Sequence, residues 1–247
     1  DIVHIAHFAE ASSDLHPGPY DLSLVEGSIT TEHDAARIRT IREQSRALVT
    51  IRVGATAGGI QALRGIGGAD VAEFTRYVYP QPSYISTLAT STAISAHVPV
   101  DYELHGCPVH KDQLLQVIAA FAAGRRPRLP AHSVCVDCKL AGHTCVWVTH
   151  GTACLGPVTQ TGCGALCPQF GRGCYGCFGP HAAANVPSLT QTLQRDLLVP
   201  PHALLRSLRT FNAASTPFAH ASRQLELEIH SRQQPVDATD AQDRKPR

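Results

Sequence analysis

Eight of the nine cysteines fall in one stretch of 43 residues, from Cys135 to Cys177. Cys135, Cys138, Cys145 and Cys154 are spaced C-x2-C-x6-C-x8-C. After a gap, Cys163, Cys167, Cys174 and Cys177 follow as C-x3-C-x6-C-x2-C. Four thiolates close one cubane iron–sulfur cluster or one tetrahedral zinc site, so the pattern reads as two successive four-sulfur sites. Gly142, Gly151, Gly156, Pro157, Gly162, Gly164, Pro168, Gly171, Gly173 and Gly176 punctuate the intervals. A chain that turns sulfur inward around a compact inorganic body needs such permissive and pre-bent positions. Between the cysteines only short apolar runs such as Val146-Trp147-Val148 are available. The segment is therefore expected to depend for its fold on what it binds.

Three chemistries compete for this pattern. A disulfide framework suits small secreted domains, whereas no hydrophobic leader is present and the rest of the chain reads as an ordinary α/β domain. Structural zinc is the stronger rival, because CxxC pairs serve both metals. Zinc ribbons usually bring two CxxC knuckles per site, and each set here has one. Cys177 followed by Phe-Gly-Pro, and Cys154 followed by Leu-Gly-Pro, look like cluster loops turned by a proline. Spacing favours iron–sulfur over zinc and leaves zinc open.

The chain has 247 residues, enough for one sizeable core and a smaller appended unit. Net charge is +1 with 17% charged residues, which argues against a nucleic-acid partner. No apolar run approaches the length of a membrane span. The fourteen histidines are scattered and read as mostly solvated. Methionine is absent and the chain opens in a strand-like run, so residue 1 is expected to lie inside a longer domain.

The elements that must position the sulfurs follow in order. Residues 2–8 read as a strand and 12–19 as a loop. Asp21–Val25 reads as a second strand ending at Glu26-Gly27-Ser28. A helix then starts at Thr30 or Thr31, with Glu32 and Asp34 in its first turn and Ala35, Ile38 and Ile41 as its buried stripe. Ala47–Ile51 is a β-branched third strand, and Gly58–Leu63 begins a short helix. Alternation of this kind predicts a parallel sheet with crossovers, whose chemistry gathers at the carboxyl ends of the strands. Three segments lie there: Glu26–Ser28, Gly54–Gly59, and His105–Pro108 after a strand over 98–104. Residues 70–96 read as a long surface excursion. Lys111–Gly124 reads as an amphipathic helix with Leu114, Leu115, Val117, Ile118 and Phe121 inward. Arg125–Pro130 is a linker. Residues 188–199 and 201–213 read as helices, the second with Leu204, Leu205, Leu208 and Phe211 on one face, free to pack on the cysteine segment or to dock a partner. The expected division is 1–130, 131–182, 183–230 and a disordered tail over 231–247.

Leu24-Val25-Glu26-Gly27-Ser28, then Ala57-Gly58-Gly59-Ile60-Gln61-Ala62-Leu63, then Gly106-Cys107-Pro108, then the eight-cysteine segment, occur in a telling order. From about residue 1 to 220 the chain resembles the small (delta) subunit of cytoplasmic nickel–iron hydrogenases and sulfhydrogenases. That family is related to the 20 kDa subunit of NADH:ubiquinone oxidoreductase. The resemblance implies an electron-transfer subunit of an oxidoreductase, with a flavodoxin-like sheet that here lacks its first strand. It implies a cysteine-rich domain with two [4Fe–4S] clusters, and C-terminal helices. Cys135, Cys138, Cys145 and Cys154 would hold the distal cluster; Cys163, Cys167, Cys174 and Cys177 would hold the medial one. A swap of Cys154 and Cys177 between clusters is the alternative. Catalysis would belong to a Ni–Fe large subunit, with flavin/NAD(P)-binding and ferredoxin-like subunits beyond, in the cytoplasm.

The resemblance also places Cys107 as the last ligand of a proximal cluster and Glu26 beside it. Here the sequence departs from the family. The family's first CxxC is not present, and its Gly-Ala-Cys-Ala-Thr turn is replaced by Arg52-Val53-Gly54-Ala55-Thr56. One thiolate does not hold a cubane, so no proximal cluster is expected on the residues given. The competing functions are a degenerate homologue with a structural role and a zinc-stabilised binding module.

Overall fold

A computed structural model describes residues 3–66 and 71–233. Among these residues the only sheet has three parallel strands in the order β1 (Tyr20–Glu26), β2 (Ser45–Ile51), β3 (Tyr102–Leu104). Helix α1 (Glu32–Glu43) connects β1 to β2. Thr31 caps it as expected: the Thr31 hydroxyl accepts from the Asp34 amide, and the Asp34 carboxylate accepts from the Thr31 amide. The central strand β2 is buried on both faces. Leu48 packs with Ala35, Ile38 and Ile94 on one side. Val49 packs with Leu104 and with Val117 of α4 (Lys111–Ala122) on the other. Helices thus cover both faces of a parallel sheet, the arrangement its hydrophobic central strand demands.

The register decides what meets at the carboxyl edge. Glu26 lies opposite Ile51, and Ile51 lies opposite Leu104. The three strands therefore end at one level, and the residues that follow each of them emerge side by side.

Past the linker come α5 (Val134–Leu140), α6 (Val146–His150) and α7 (Leu166–Gln169), all short pieces within the cysteine segment. Then α8 (Val186–Leu197), α9 (Pro201–Arg209) and α10 (Thr216–Gln233) close over it. Leu155 and Val158 of the cysteine segment share one core with Val186, Leu189 and Leu193, Leu204 and Leu208, and Phe218, Ala221 and Leu225. The C-terminal helices pack on the cysteine segment, which resolves the choice left by their sequence.

Several expectations need correction. Residues 3–8 form no strand. Val3, Ile5 and Phe8 are exposed, because alternation alone supplies no ladder partner. The chain does not turn at Gly54 but runs from β2 directly into α2 (Arg52–Ala57), and a 3₁₀ turn, Ile60–Gly65, follows. The strand over 98–104 shrinks to three residues. The 70–96 excursion contains α3 (Val71–Val78), and its Ser91 and Ile94 are buried in the sheet domain. Leu115 is exposed rather than inward. The helix begun at 201 stops at Arg209, and a further helix, α10, includes residues 231–233 of the expected tail. Residues 234–247, and residue 2 of the expected first strand, lie outside the described residues.

Phe218 is fully buried, and its ring lies 3.1 Å from where a side chain on Gly176 would begin, so α10 braces the loop between Cys174 and Cys177. Phe218→Ala is expected to cost about 3–5 kcal/mol. A thermal melt of the purified chain checks it; a melting temperature equal to wild type would contradict this packing.

Candidate metal centre

The first cysteine set is carried by two short helices and a turn. Cys135 and Cys138 sit one helical turn apart on α5, Cys145 caps the start of α6, and Cys154 follows a left-handed turn at Gly151. An i, i+3 pair on a helix shares one face, which is how a C-x2-C pair aims two sulfurs together. The four thiols feel one another. Burial pushes the Cys135 thiol up to about 11, and Cys154, Cys138 and Cys145 add to the rise. Burial also raises Cys138, with Cys145 and Cys154 contributing.

The second set gathers the same way. Burial raises Cys177 to about 11, with Cys163 the next contributor to the rise, and raises Cys167, again with Cys163 adding to it. Cys174 is pushed up to about 12 by burial, despite hydrogen bonds from the Gly176 amide and the Thr159 side chain. Cys154 bears on thiols of both fours: it raises Cys167 and Cys174 as well as Cys135. The sets also touch: the Cys174 amide donates to Cys154 Sγ at 3.2 Å, and the Gly156 amide donates to the same sulfur at 3.4 Å. The Gly176 amide donates to Cys174 Sγ at 3.4 Å. All of these cysteines are free thiols, so the disulfide alternative finds no pair here.

These donors suit an iron–sulfur cluster. Amides aimed at sulfur are the contacts that stabilise cluster thiolates and tune them. A metal reverses the thiol's preference for its proton, so sites that keep thiols neutral on their own become thiolate sites once loaded. Among the described residues, no three His, Cys, Asp or Glu side chains lie close enough to bind one metal ion together.

The carboxyl edge of the sheet is a different place. Glu26 ends β1, Arg52 follows β2, and Cys107 follows β3. Arg52 Nη1 lies 2.5 Å from Glu26 Oε1. Glu26 holds the guanidinium above its ordinary pKa, with Cys107 adding a smaller contribution. Arg52 adopts a left-handed φ of 66°, a conformation that costs a side chain energy and that glycine takes freely. Gly54 brings no sulfur, and a Cβ added there would meet the Gly27 backbone at 3.3 Å. Among the described residues, one thiol and an ion pair occupy this edge, and they do not fit a cubane. The Cys107 backbone opposes the rise at Cys177, so this edge of the sheet borders the second set.

Sequence reasoning misses two groups. Arg52 lies just past a strand, where no motif singles it out. Asp137 lies inside the Cys-Val-Asp-Cys motif, and its carboxylate takes His132 Nε2 at 2.7 Å and the Thr161 hydroxyl. An acid wedged between two cysteines of a candidate ligand set is itself a signal.

Residues 1–121 match the NADH ubiquinone oxidoreductase, 20 Kd subunit family. The delta subunit of sulfhydrogenase 2 from Pyrococcus furiosus is 34% identical over 211 residues, 85% of this chain and 86% of its own length. A subunit of the F420-non-reducing hydrogenase vhu of Methanocaldococcus jannaschii is 32% identical over 194 residues, covering 66% of each chain. This chain thus spans about two thirds of that methanogen protein. Among solved structures, an actinobacterial-type NiFe-hydrogenase from Ralstonia eutropha aligns over 92% of this chain and 73% of its own, at 18% identity and a TM-score of 0.46.

Two outcomes are expected. A side chain on Gly156 would begin 3.3 Å from Cys154 Sγ and 3.4 Å from Cys135 Sγ, so Gly156→Ala should release metal from the first set before the second. Metal analysis during chelator challenge reads this, and equal loss from both sets would contradict it. In the metal-free, reduced chain, unfolding returns the Cys135, Cys174 and Cys177 thiols to their ordinary value of 9.0. The unfolded state then sheds protons first as pH rises. Stability should be flat below about pH 9 and fall between about pH 9 and 12. Denaturant titrations across that range check the sign.

Proposed function

This chain belongs to the NADH ubiquinone oxidoreductase 20 Kd subunit family together with the sulfhydrogenase delta subunit, and from that premise we propose that it is the electron-transfer iron–sulfur subunit of a nickel–iron hydrogenase. The observation that supports the proposal is eight thiols in one segment, spaced as two runs of four, with the Cys174 amide of the second run donating to the Cys154 sulfur of the first. Cys135, Cys138, Cys145 and Cys154 would hold a distal [4Fe–4S] cluster, and Cys163, Cys167, Cys174 and Cys177 a medial one. When bound, each cluster supplies a one-electron carrier. The protein's own residues keep the sulfurs out of water, aim amides at them, and hold the two sets in contact. H–H cleavage belongs to a large subunit carrying the Ni–Fe site, and flavin/NAD(P)-binding or ferredoxin-like subunits take up electrons beyond. A cytoplasmic location is part of the same proposal. None of the described helices is long and apolar enough to cross a membrane.

The carboxyl edge of the sheet favours a narrower form of this reading. With Gly54 in place of a thiol and the Arg52–Glu26 pair beside Cys107, electrons enter this chain at the second cysteine set, with no proximal cluster of its own residues.

Iron, acid-labile sulfide and zinc per chain, after anaerobic reconstitution, test the proposal. About eight irons with about eight sulfides are expected. About twelve irons would overturn the narrower form. Zinc near two without sulfide would overturn the electron-transfer function.

A further inference from the structure

We propose that Asn212 is a positioning residue of the second cysteine set: by holding the Gly176 carbonyl it keeps the Gly176 amide aimed at the Cys174 sulfur, and the reduction potential of that set is higher for it. The inference rests on the iron–sulfur function proposed above.

The loop Cys174-Tyr175-Gly176-Cys177 turns on a glycine with a φ of 76°. Glycine takes positive and negative φ with equal ease, so the peptide before it has two flips open to it. In one the Gly176 N–H faces the sulfur; in the other the Tyr175 carbonyl takes its place. The difference matters, because an N–H attracts the charge of a loaded thiolate and a carbonyl oxygen repels it. The structure holds the first: the Gly176 amide donates to Cys174 Sγ at 3.4 Å. Gly176 is gripped by its own carbonyl. Asn212, in the turn between α9 and α10, is 1% exposed, and its Nδ2 donates to the Gly176 carbonyl at 2.7 Å. Reversing the Asn212 amide would set two acceptors against each other, so the donor has to point this way.

Asn212 is itself fixed. Its carbonyl accepts from the Ser215 amide at 3.0 Å and from the Ser215 hydroxyl at 2.8 Å, at the start of α10. The bond to Gly176 therefore ties the sulfur loop to the turn that joins the two covering helices. Satisfying the Gly176 oxygen does not by itself call for Asn212, since the Gly179 amide already donates to it at 3.0 Å. The Gly179 bond, however, comes from three residues along the same loop and moves with it. The Asn212 bond comes from a separate part of the core and fixes where Gly176 stands. Reduction adds an electron, and an N–H on a cluster sulfur stabilises the added charge, so the held amide favours the reduced form. The first set receives its amides at Cys154 from Gly156 and Cys174, not from Gly176, so the same bond acts on the second set first.

The test uses the full chain, reconstituted anaerobically, with redox titration followed by electron paramagnetic resonance, and with hydrogen exchange read across residues 174–180. Asn212→Leu keeps the branched shape and removes the donor. It is expected to keep its iron and to lower one cluster potential, by about tenfold in the reduction equilibrium or about 59 mV for one electron, while the other moves less. Exchange across residues 174–180 is expected to rise about threefold or more. Leu225→Ala, in the same helical core, is the control: it is expected to lower the melting temperature and to leave both potentials at the wild-type values. Unmoved potentials in an iron-loaded Asn212→Leu chain, a positive shift, equal shifts of both, or the same shift in Leu225→Ala each overturn the proposal. If Asn212→Leu does not fold or sheds its iron, Asn212→Ser decides, being smaller and too short to span the bond: a lowered potential supports the proposal and wild-type potentials overturn it. A wild-type chain free of sulfide would overturn the iron–sulfur function itself. Hydrogen exchange then decides the anchor alone, and an unchanged rate in Asn212→Leu overturns it.

Discussion

Everything in this molecule depends on crowding eight sulfurs into a small volume that has few cations of its own. Lys139 and Arg172 are the positive side chains that temper individual thiols there, and burial outweighs both. Left alone, such sulfurs keep their protons; only a metal body makes them thiolates. The cysteine segment spends its residues on turns and sulfur, so its stability must come from that body and from outside. The outside part is visible: α8, α9 and α10 bring Leu193, Leu204, Leu208 and Phe218 over Leu155 and Val158. The helices form the wall against which the sulfur loops can be held.

The same constraint explains the amides aimed at sulfur. Cys154 receives two of them, one from Gly156 and one from Cys174 across the boundary between sets. A buried sulfur that will carry negative charge needs partners that water can no longer supply. Using a ligand's own backbone as the donor also brings the two sets into direct contact.

The sheet domain shows how a parallel fold gathers residues at one edge whether or not they still make a metal site. Register places Glu26, Arg52 and the turn before Cys107 side by side. Among the described residues that place holds an ion pair on a left-handed arginine and the Cys107 thiol. A guanidinium now supplies positive charge where the resemblance would put a cluster.

How much was legible beforehand depends on whether the determining interaction is local. Thr31 and Asp34 lie three residues apart, so the start of α1 could be read directly. The β-branched run at 47–51 announced a strand, which the structure gives as Ser45–Ile51. Residues 3–8 misled because alternation says nothing about a partner strand. Leu115 misled because four inward positions already filled the face of α4 that meets the sheet. Helix α10 escaped because its buried positions, Phe218, Ala221, Ser222 and Leu225, are too mixed to show a stripe. Sequence alone determined the sulfur count and spacing and the parallel alternation, since these follow from residue type and short spacing. Only the tertiary structure decided that α10 roofs the sulfur loops, that Arg52 meets Glu26, and that Thr161 meets Asp137. Those contacts join residues tens of positions apart, and nothing in local chemistry sets their distance until the cores have closed.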